Sequence, residues 1–576
     1  MHPRQLLFCV LPIFFLPFFV TLQNFLSHII MKKTIITALL ALVALAGEAK
    51  ESAITLPADW FTTDSITIRG HIEDYDAEQL GFSDMECYLY DVTTNDNSTL
   101  SMSINPDGSF EKRFVLSYPM KMSFHASSEP KTDFYEFQFF VRPGEVVDVT
   151  IRKNSQGKYE CFYNGGSSKE VERWLKADLQ LSELTKDLAR CKGTFAEVNQ
   201  LADATWQKLM DSFQTVSQRE HFTPWEKQLA MAEVQHTFAL AYMDNAFHRE
   251  MGLMKQEFRD GIYYTEITDS VEWDALHDYR NYTALRYIDF NNPLLMVNEM
   301  FYFTINRIQF SEYVNTTKYK AVMGEGDAYY ATMKTEETII ANNIDALCTM
   351  LATDKDNLFI QLCVYKDLMN GFNNWRLEEE NALADSTMTE AEWQETRTPG
   401  KVTPLYLAIL THPYLHQKAE QYYATKMAQT DYATPLPESP ATDLIRRISA
   451  KYPGRYLMID FWSMGCGPCR SAIQQSKGKR AEIAKRDDVK LIFIAEERTT
   501  EGSDAYHKYV SEWLTDEETV CLDRVGFHHM QELFRFTGIP YYETITPDCR
   551  RVRDDLRING FYNFNHELER LKEKLK

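Results

Sequence analysis

Hydrophobic and polar positions follow three different patterns along the chain. Between residues 65 and 163, short alternating runs such as Ser65-Ile66-Thr67-Ile68 are separated by turn sequences such as Asn105-Pro106-Asp107-Gly108. Alternation with a period of two places every second side chain on one face of a strand, and turns at this density are typical of antiparallel sheets. We therefore predict an antiparallel β-sandwich over residues 60–165.

The second pattern, over residues 167–432, has apolar residues three or four positions apart and few turn dipeptides. Ser167 and Glu170 have the spacing of a capping box, and Thr223-Pro224-Trp225-Glu226 forms a second helix start. The first start is followed by one apolar stripe, which consists of Trp174, Ala177, Leu181, Leu184 and Leu188. We predict a helical domain whose aromatic residues form its core, and a groove for a peptide partner is the alternative.

The third pattern begins after three prolines within residues 433–440. Proline lacks a backbone N–H, so we expect this segment to continue neither helix nor sheet and to form a semi-rigid linker. Residues 441–576 then alternate in type: a helix from Thr442, a strand at 456–461, a helix from Cys469, a strand at 490–495, a helix at 504–513, a strand at 519–522, a helix at 526–536, two antiparallel strands around 546–548 and a last helix from Asn565. This order predicts an α/β domain with a central mixed sheet flanked by helices on both faces.

The N-terminal residues add a predicted export signal to these three domains. Met31-Lys32-Lys33, an apolar run and Ala44-Leu45-Ala46 give residues 31–46 the features of a secretory signal peptide. We interpret residues 1–30, which are apolar but interrupted by two prolines, as an upstream mis-assigned start, with a membrane anchor as the alternative. The sequence thus predicts a periplasmic or secreted protein.

Length and charge limit the class of protein further. A chain of 576 residues exceeds what one hydrophobic core supports, and 44% hydrophobic residues argue against extended disorder. The net charge of −22 argues against a nucleic-acid partner, because phosphates would be repelled.

Ten cysteines are present, and only Cys466 and Cys469 are closely spaced. The sequence Cys466-Gly467-Pro468-Cys469 follows a predicted strand and opens a predicted helix. The helix N-terminus favours a thiolate at Cys466, which makes it the nucleophile, and Cys469 can then attack a mixed disulfide. Gly467 allows a tight turn, and Pro468 suits the first turn of a helix. Cys87, Cys161, Cys191, Cys348, Cys363, Cys521 and Cys549 are expected to be mostly small buried hydrophobic residues.

Asp460 lies six residues before Cys466, inside an apolar strand. Burial there would raise the pKa of its carboxyl group and suit it to accept the proton of Cys469. A solvated aspartate at the end of a strand is the alternative interpretation.

The run Asp460-Phe461-Trp462, the paired cysteines and Thr537-Gly538-Ile539-Pro540 together resemble the thioredoxin superfamily. With an export signal, the chain most resembles the TlpA-like thiol–disulfide oxidoreductases of Gram-negative bacteria. The resemblance is specific over residues 441–576 and only architectural before them. It implies that Pro540 is a cis proline beside the cysteines and that Ile539 offers backbone groups to an extended substrate. It also implies that Asp460 is the buried acid. The candidate substrate-binding residues are Trp462, Gly467, Pro468, Ile539 and Pro540.

The function implied by this resemblance is reduction or isomerisation of disulfides in envelope proteins, with no cofactor beyond the cysteine pair. A membrane thiol electron donor is implied by the family rather than by any residue. Gly465 and Tyr541 depart from the usual residues of the family, which leaves the substrate preference open, and the direction of electron flow is also open.

Four other interpretations remain, three of the cysteine pair and one of the whole protein. A zinc site would need two more ligands, and His528 and His529 are the obvious candidates. A purely structural disulfide would not require a thioredoxin-like setting. A peroxidatic site would need a proline at the position of Ile459. The fourth is a binding protein whose β and helical domains hold a peptide, a glycan or an envelope partner, with a redox-silent C-terminal module.

Overall fold

The computed structural model gives backbone and side-chain positions for most of the chain beyond its N-terminal segment. It describes residues 56, 57, 59–94, 96–259, 262–320, 322, 332–496, 503–515, 517–553 and 564–575. The predicted signal peptide at 31–46 and the upstream stretch at 1–30 lie outside the described residues. Within the described ranges, no helix combines the length and the apolar character that a membrane crossing requires.

The first part of the structure, residues 64–163, consists of two four-stranded sheets. Its elements are β1 (Asp64–Ile72), α1 (Ala77–Leu80), β2 (Asp84–Asp91), β3 (Asp96–Ser103), β4 (Ser109–Leu116), β5 (Met120–Ala126), β6 (Glu136–Val141), β7 (Val146–Lys153) and β8 (Tyr159–Tyr163). The strand orders are β4-β1-β7-β8 and β3-β2-β5-β6. The inner faces meet through aromatic rings: Phe110 of β4 lies 5.6 Å from Phe137 of β6, which stacks on Phe124. We call this part the β-sandwich.

The prediction of a purely antiparallel sandwich is wrong at one strand pair. Strands β1 and β7 run parallel, with Thr67 opposite Val146 and Ile72 opposite Ile151. Hydrophobic alternation specifies which face of a strand is buried, but it carries no information about the direction of its neighbour. The parallel pair was therefore not visible in the sequence.

The next part, residues 166–428, is mainly helical, and we call it the helical part. Its elements are α2 (Gly166–Glu170), α3 (Glu172–Lys176), α4 (Leu181–Arg190), α5 (Phe195–Arg219), α6 (Pro224–Leu253), β9 (Met254–Arg259), β10 (Ile262–Ile267), α7 (Ser270–Leu276), α8 (Phe301–Gln309), α9 (Glu312–Lys320), α10 (Met333–Leu351), α11 (Leu358–Ala384), α12 (Glu390–Glu395), α13 (Pro399–Ile409) and α14 (Pro413–Ala428). The antiparallel hairpin of β9 and β10 was not predicted. Its sequence signal is the turn dipeptide Asp260-Gly261.

Of the two predicted helix starts, one is confirmed and one is wrong. Thr223 caps α6: its hydroxyl accepts the N–H of Glu226 at 3.2 Å, and the Glu226 carboxylate accepts the N–H of Thr223 at 2.8 Å. Ser167 does not cap a helix, because its hydroxyl donates to Glu145 at 2.8 Å and α2 already begins at Gly166. The apolar stripe that follows is interrupted: Trp174 lies on α3, Ala177 ends that helix, and the three leucines lie on α4. Gln180, which precedes α4, adopts a left-handed conformation with φ of 54° and separates the two helices.

The last part, residues 433–575, alternates strands and helices as predicted, and we call it the C-terminal part. Its elements are β11 (Ala433–Pro435), α15 (Pro440–Lys451), β12 (Tyr456–Trp462), α16 (Gly467–Gln475), α17 (Lys477–Ile483), β13 (Val489–Glu496), α18 (Ser503–Trp513), β14 (Glu518–Leu522), α19 (Arg524–Phe534), β15 (Tyr541–Ile545), β16 (Arg550–Val552) and α20 (Phe564–Lys574). They form one six-stranded mixed sheet in the order β11-β16-β15-β12-β13-β14. Strand β12 runs parallel to β13 and antiparallel to β15.

Helices cover this sheet on both faces, so strand β12 is buried on both sides. Met458 and Trp462 point into one core, which includes residues of α16, α17, α18 and α20. Leu457, Ile459 and Phe461 point into the other core, which includes residues of α15 and α19. Burial on both faces explains why the strand is a nearly continuous apolar run rather than an alternating one.

The predicted linker at 433–440 is not free of the sheet. Residues 433–435 form the edge strand β11, in which Thr434 lies opposite Arg551 of β16. Proline is tolerated here because an edge strand leaves one side without a sheet partner. The end of the segment is also structured, since Pro440 is the first residue of α15 and Ser439 is its cap.

Helix α19 joins the C-terminal part to the β-sandwich through charged side chains. Arg524 donates to Glu86 of β2 at 2.6 Å, and the ring of His528 lies against the other oxygen of this carboxylate. The Glu86 side chain is only 1% exposed. One helical turn further on, Glu532 pairs with Lys112 of β4 at 2.5 Å. A buried carboxylate thus holds one end of the helix on the sandwich.

We expect Glu86→Gln to loosen this contact, because the amide keeps the size of the side chain but loses the charge that Arg524 contacts. A hydrogen bond to a charged group contributes about 1.5–3 kcal/mol, so amide exchange in α19 and β2 should accelerate roughly tenfold or more. Hydrogen exchange followed by mass spectrometry measures this. The control is Glu111→Gln, which removes an exposed carboxylate 3.8 Å from Arg113. Equal exchange in both variants would contradict the prediction.

Candidate active site

The paired cysteines lie where strand β12 passes into helix α16. Cys466 is the N-cap of the helix, and its sulfur accepts the backbone N–H of Cys469 at 3.1 Å. The two residues form a disulfide, with their Cα atoms 5.3 Å apart. Helix α16 begins at Gly467, two residues before the predicted start, because the sulfur of Cys466 takes the capping role. Such a sulfur faces the positive end of the helix dipole, which favours its thiolate after reduction.

The two sulfurs differ in accessibility. Cys466 is half-buried, and its neighbours Gly465, Gly467 and Pro468 are exposed, whereas Cys469 is 1% exposed. A molecule that arrives from solvent therefore reaches Cys466 first. Among the other described cysteines, only Cys87 and Cys363 are fully buried; Cys161, Cys191, Cys348, Cys521 and Cys549 are half-buried, so the expectation that most are core residues is wrong.

The loop before β15 brings a second group to the cysteine pair. The Ile539–Pro540 bond is cis, and the carbonyl oxygen of Ile539 lies 3.8 Å from the sulfur of Cys466. Pro540 itself is exposed. The two ends of the loop are held together because the rings of Phe536 and Tyr541 stack at 4.2 Å. The structure thus brings Cys466, Gly467, Pro468, Ile539 and Pro540 together at one surface.

Trp462 does not belong to that surface. Its side chain is fully buried, and its ring lies 5.7 Å from Tyr506 and 5.4 Å from Tyr509 of α18. Alternation along β12 directs it into the core beneath α16, where a substrate cannot reach it. This corrects the prediction that Trp462 contacts the substrate; it packs under the cysteine pair instead.

Asp460 alternates with Met458 and Trp462 along β12, so its side chain lies on the sheet face whose core contains Cys469. The residue is 5% exposed, and its Oδ1 atom has no hydrogen-bond partner among the described residues. Burial raises the pKa of this carboxyl group well above its usual value, and the charge of Arg480 offsets only part of that effect. The alternative of a solvated aspartate is therefore excluded for this conformation. A cavity of about 10 Å³, with Tyr542 and Phe493 in its wall, adjoins the carboxyl group.

Arg480 is a residue of this region that we did not identify from the sequence. It is 1% exposed and forms an ion pair with Glu517, while its Nε donates to Ser476 at 3.1 Å. Its guanidinium lies 5.3 Å from the ring of Phe493, the residue opposite Asp460 in the parallel ladder. The available signal was its position in the inward stripe of α16 and α17, which consists of Cys469, Ile473, Ser476, Arg480 and Ile483. An arginine in an apolar stripe indicates a buried charge with a partner.

The zinc interpretation does not fit the position of His528. Helix α19 packs on the sheet face opposite Cys469, and His528 contacts Glu86 there. In the described part of the chain, no group of three or more His, Cys, Asp or Glu side chains is arranged to hold a metal ion.

Solved structures that resemble parts of the chain are thioredoxin-like proteins from Bacteroides. The thioredoxin domain of a thiol-disulfide oxidoreductase from Bacteroides vulgatus is 20% identical, with 21% of this chain and 82% of that chain covered and a TM-score of 0.18. A thiol:disulfide interchange protein from a Bacteroides species is 16% identical, with 21% and 76% covered and a TM-score of 0.18. A thioredoxin-like protein from Bacteroides caccae is 13% identical, with 51% and 93% covered and a TM-score of 0.22. No protein-family model and no curated protein matches the chain. Since these scores are low, we base the function on the geometry of this chain.

The raised pKa of Asp460 predicts how stability depends on pH. Above about pH 3.9 the unfolded carboxyl group loses its proton while the folded one retains it, so rising pH destabilises the wild-type protein by up to about 1.4 kcal/mol per pH unit. Asp460→Asn cannot lose a proton, so it should be more stable than wild type at pH 7 and equal to it below about pH 4. Thermal unfolding between pH 3 and 8 measures this, with the exposed Asp487→Asn as control. Parallel curves for Asp460→Asn and wild type would contradict it.

Proposed function

We propose that this chain is an exported thiol–disulfide oxidoreductase that reduces or isomerises disulfides at Cys466 and Cys469. One observation carries the proposal: an accessible sulfur at the N-terminus of α16 lies beside the Ile539 carbonyl, with a second, enclosed sulfur three residues on. The TlpA-like assignment and the division into sandwich, helical and thioredoxin-like domains are part of this proposal. So are the signal peptide and a periplasmic or secreted location.

In the first step, the Cys466 thiolate attacks one sulfur of a substrate disulfide. The substrate S–S bond breaks, the leaving sulfur departs as a thiolate that takes a proton from water, and Cys466 is joined to the substrate by a mixed disulfide. The exposed Gly467, Pro468 and Pro540 leave room for the substrate, and the Ile539 carbonyl can accept a backbone N–H from it.

In the second step, Cys469 loses its proton to Asp460 in those molecules whose Asp460 carboxyl group is ionised, and then attacks Cys466. Because the raised pKa keeps this carboxyl group protonated over a wide pH range, the ionised fraction, and with it the rate of this step, increases with pH. The mixed disulfide breaks, the Cys466–Cys469 disulfide forms, and the second substrate thiol leaves. The departing substrate sulfur takes the proton from Asp460, which restores the carboxylate. The substrate has then gained two electrons from the cysteine pair, one proton from water and one proton from Cys469 by way of Asp460. The raised pKa of Asp460 makes it a stronger base than a solvated carboxylate.

Continued reduction requires a dithiol that restores Cys466 and Cys469. We propose a membrane thiol donor for this role and disulfide-bearing envelope proteins as substrates, with no metal, nucleic acid or further cofactor. If the mixed disulfide is instead attacked by another thiol of the substrate, the same first step gives isomerisation, and no net electrons are transferred.

We expect Cys466→Ser to reduce disulfide-reductase turnover to the uncatalysed background, because the hydroxyl group is not ionised at neutral pH. Reduction of a model disulfide protein by dithiothreitol measures this. Cys549→Ser, which removes another half-buried thiol of the C-terminal part, should retain wild-type turnover. Full activity of Cys466→Ser would overturn the proposed function.

Cys469→Ser should stop the reaction after the first step, so that mixed disulfides accumulate at Cys466. After expression in the native envelope and acid quenching, non-reducing electrophoresis and mass spectrometry should identify the trapped substrates. The same procedure on the double variant Cys466→Ser/Cys469→Ser should recover none of them. Absence of adducts from the single variant would contradict the proposed role of Cys469.

A further inference from the structure

A large cavity is lined by residues of the β-sandwich, the helical part and the C-terminal part. Its volume is about 990 Å³, which is in the range of ligand-binding pockets. Phe534 and Arg535 form one part of its wall, and Tyr541 forms another. These residues flank the loop that carries Pro540, so the cavity borders the proposed site of disulfide exchange.

Two helices supply a polar wall to this cavity. Helix α11 contributes Asn370, Asn373 and Asn374, and the facing helix α14 contributes Gln421 together with two lysines. Asparagine is a poor helix former, and three of them within five residues oppose helix formation by roughly 0.5 kcal/mol each relative to alanine. Each amide presents both a donor and an acceptor, which together match the N–H and C=O of a peptide backbone. The helices themselves are held together by Phe372 of α11, whose ring lies 5.5 Å from that of Tyr422 of α14.

The charge of the cavity is opposite to that of the chain. Its described lining includes Lys418, Lys426, Arg535 and Arg551 but neither Asp nor Glu, although the chain as a whole carries a net charge of −22. Arg551 is compensated by Glu543. The two lysines are different: no described carboxylate lies within ion-pair distance of either Nζ atom.

The direct contacts of the two lysines are neutral. Lys418 also interacts electrostatically with Asp91, but burial raises the pKa of that carboxyl group and so favours its uncharged form. Lys418 donates to the hydroxyl groups of Thr63 at 2.7 Å and Ser117 at 3.4 Å, and Lys426 lies 5.6 Å from the ring of Tyr422. Both charges therefore remain available to an anionic ligand. Lys418 and Lys426 are eight residues apart on α14, which is about 12 Å along the helix axis, and two cations on one wall favour a ligand with more than one negative charge.

We propose that this cavity binds an acidic peptide segment of the polypeptide whose disulfide is exchanged at Cys466. This inference rests on the proposed function, because it is the disulfide that brings a polypeptide to the loop. Tyr541, which lines the cavity, directly follows Pro540, so the loop whose Ile539 carbonyl lies 3.8 Å from the sulfur of Cys466 also leads into the cavity wall. The amides pair with the backbone of the bound segment, and the lysines bind its carboxylates. An oligosaccharide would offer no disulfide and has no reason to lie beside this loop.

The test uses the full-length oxidised chain and a fluorescein-labelled ten-residue peptide that contains aspartate and glutamate but no cysteine. Fluorescence anisotropy measures its binding to wild type, to Lys418→Gln/Lys426→Gln and to the control Lys208→Gln/Lys227→Gln, whose lysines are exposed on α5 and α6. Loss of two partly exposed charge contacts should weaken binding about two- to thirtyfold, while the control stays at the wild-type affinity. A matched peptide with asparagine and glutamine should bind equally weakly to all three proteins.

A second pair of variants guards against misfolding of the lysine variant, because Lys418 also contacts Thr63 and Ser117. Asn374 is exposed in the cavity and can be changed without loss of a buried contact. Asn374→Asp should weaken binding of the acidic peptide and Asn374→Lys should strengthen it, each about 1.5- to 5-fold. Equal affinities across these variants, or binding of an acidic oligosaccharide but not of the peptide, would overturn the inference.

The same measurements separate this inference from the proposed function. The peptide lacks cysteine, so Cys466→Ser should bind it as wild type does. If Cys466 proves dispensable for reductase turnover while the peptide still binds through the lysines, only the proposed function is lost. If turnover depends on Cys466 but the lysine variants bind the acidic peptide normally, only the cavity assignment is lost.

Discussion

The structure of the candidate active site depends on the burial of strand β12 on both faces. The helices cover both sides of the sheet, and the strand is fixed in register by its neighbours: all seven of its residues pair with β13, and five of them also pair with β15. The point at which the strand leaves the sheet is then also fixed, and helix α16 starts five residues later. Cys466 lies at that junction, and its sulfur caps the helix. The position of the reactive sulfur is thus a consequence of packing several residues away.

The same burial creates the chemical character of Asp460. A carboxyl group in the middle of an apolar strand is desolvated, and its neutral form is favoured unless a cation compensates it. Arg480 is close enough to lower the pKa, but its guanidinium is also engaged by Glu517 and by Ser476. The positive charge of Arg480 is therefore shared among these partners and Asp460, and the Asp460 carboxyl group keeps a raised pKa. Asp460 is therefore a buried base that faces the core around Cys469 and is shielded from solvent.

The sequence allowed the C-terminal part to be predicted almost element by element, because strands and helices alternate there and each has its own period. The positions of Cys466, Asp460 and Pro540 followed from motifs with known spacing. The failures have physical causes. Hydrophobic alternation does not reveal strand direction, so the parallel pair of β1 and β7 was missed. Trp462 was assigned to the surface because a motif does not show which face of a strand each residue occupies.

Long-range contacts account for the rest of what could not be predicted. Ser167 has the sequence of a helix cap, but Glu145, more than twenty residues earlier, takes its hydroxyl group. The apolar stripe around Arg480 indicates that its side chain is buried, but its partner Glu517, 37 residues later, is known only from the structure. The linker prolines suggested a separate segment, yet residues 433–435 complete the sheet by pairing with β16. In each case the deciding partner is distant in sequence.

Helix α19 connects the active-site loop to the rest of the molecule. Its first turn is held on the β-sandwich by the contact of Arg524 with Glu86 and its last turn by the contact of Glu532 with Lys112. The helix then leads directly into the loop that ends at Pro540. A helix is stiff along its axis, so an anchor at one end limits where the other end can lie. The contacts of α19 with the β-sandwich therefore restrict where the loop that carries the Ile539 carbonyl begins. The β-sandwich thus takes part in shaping the site, although none of its residues lies at the cysteine pair.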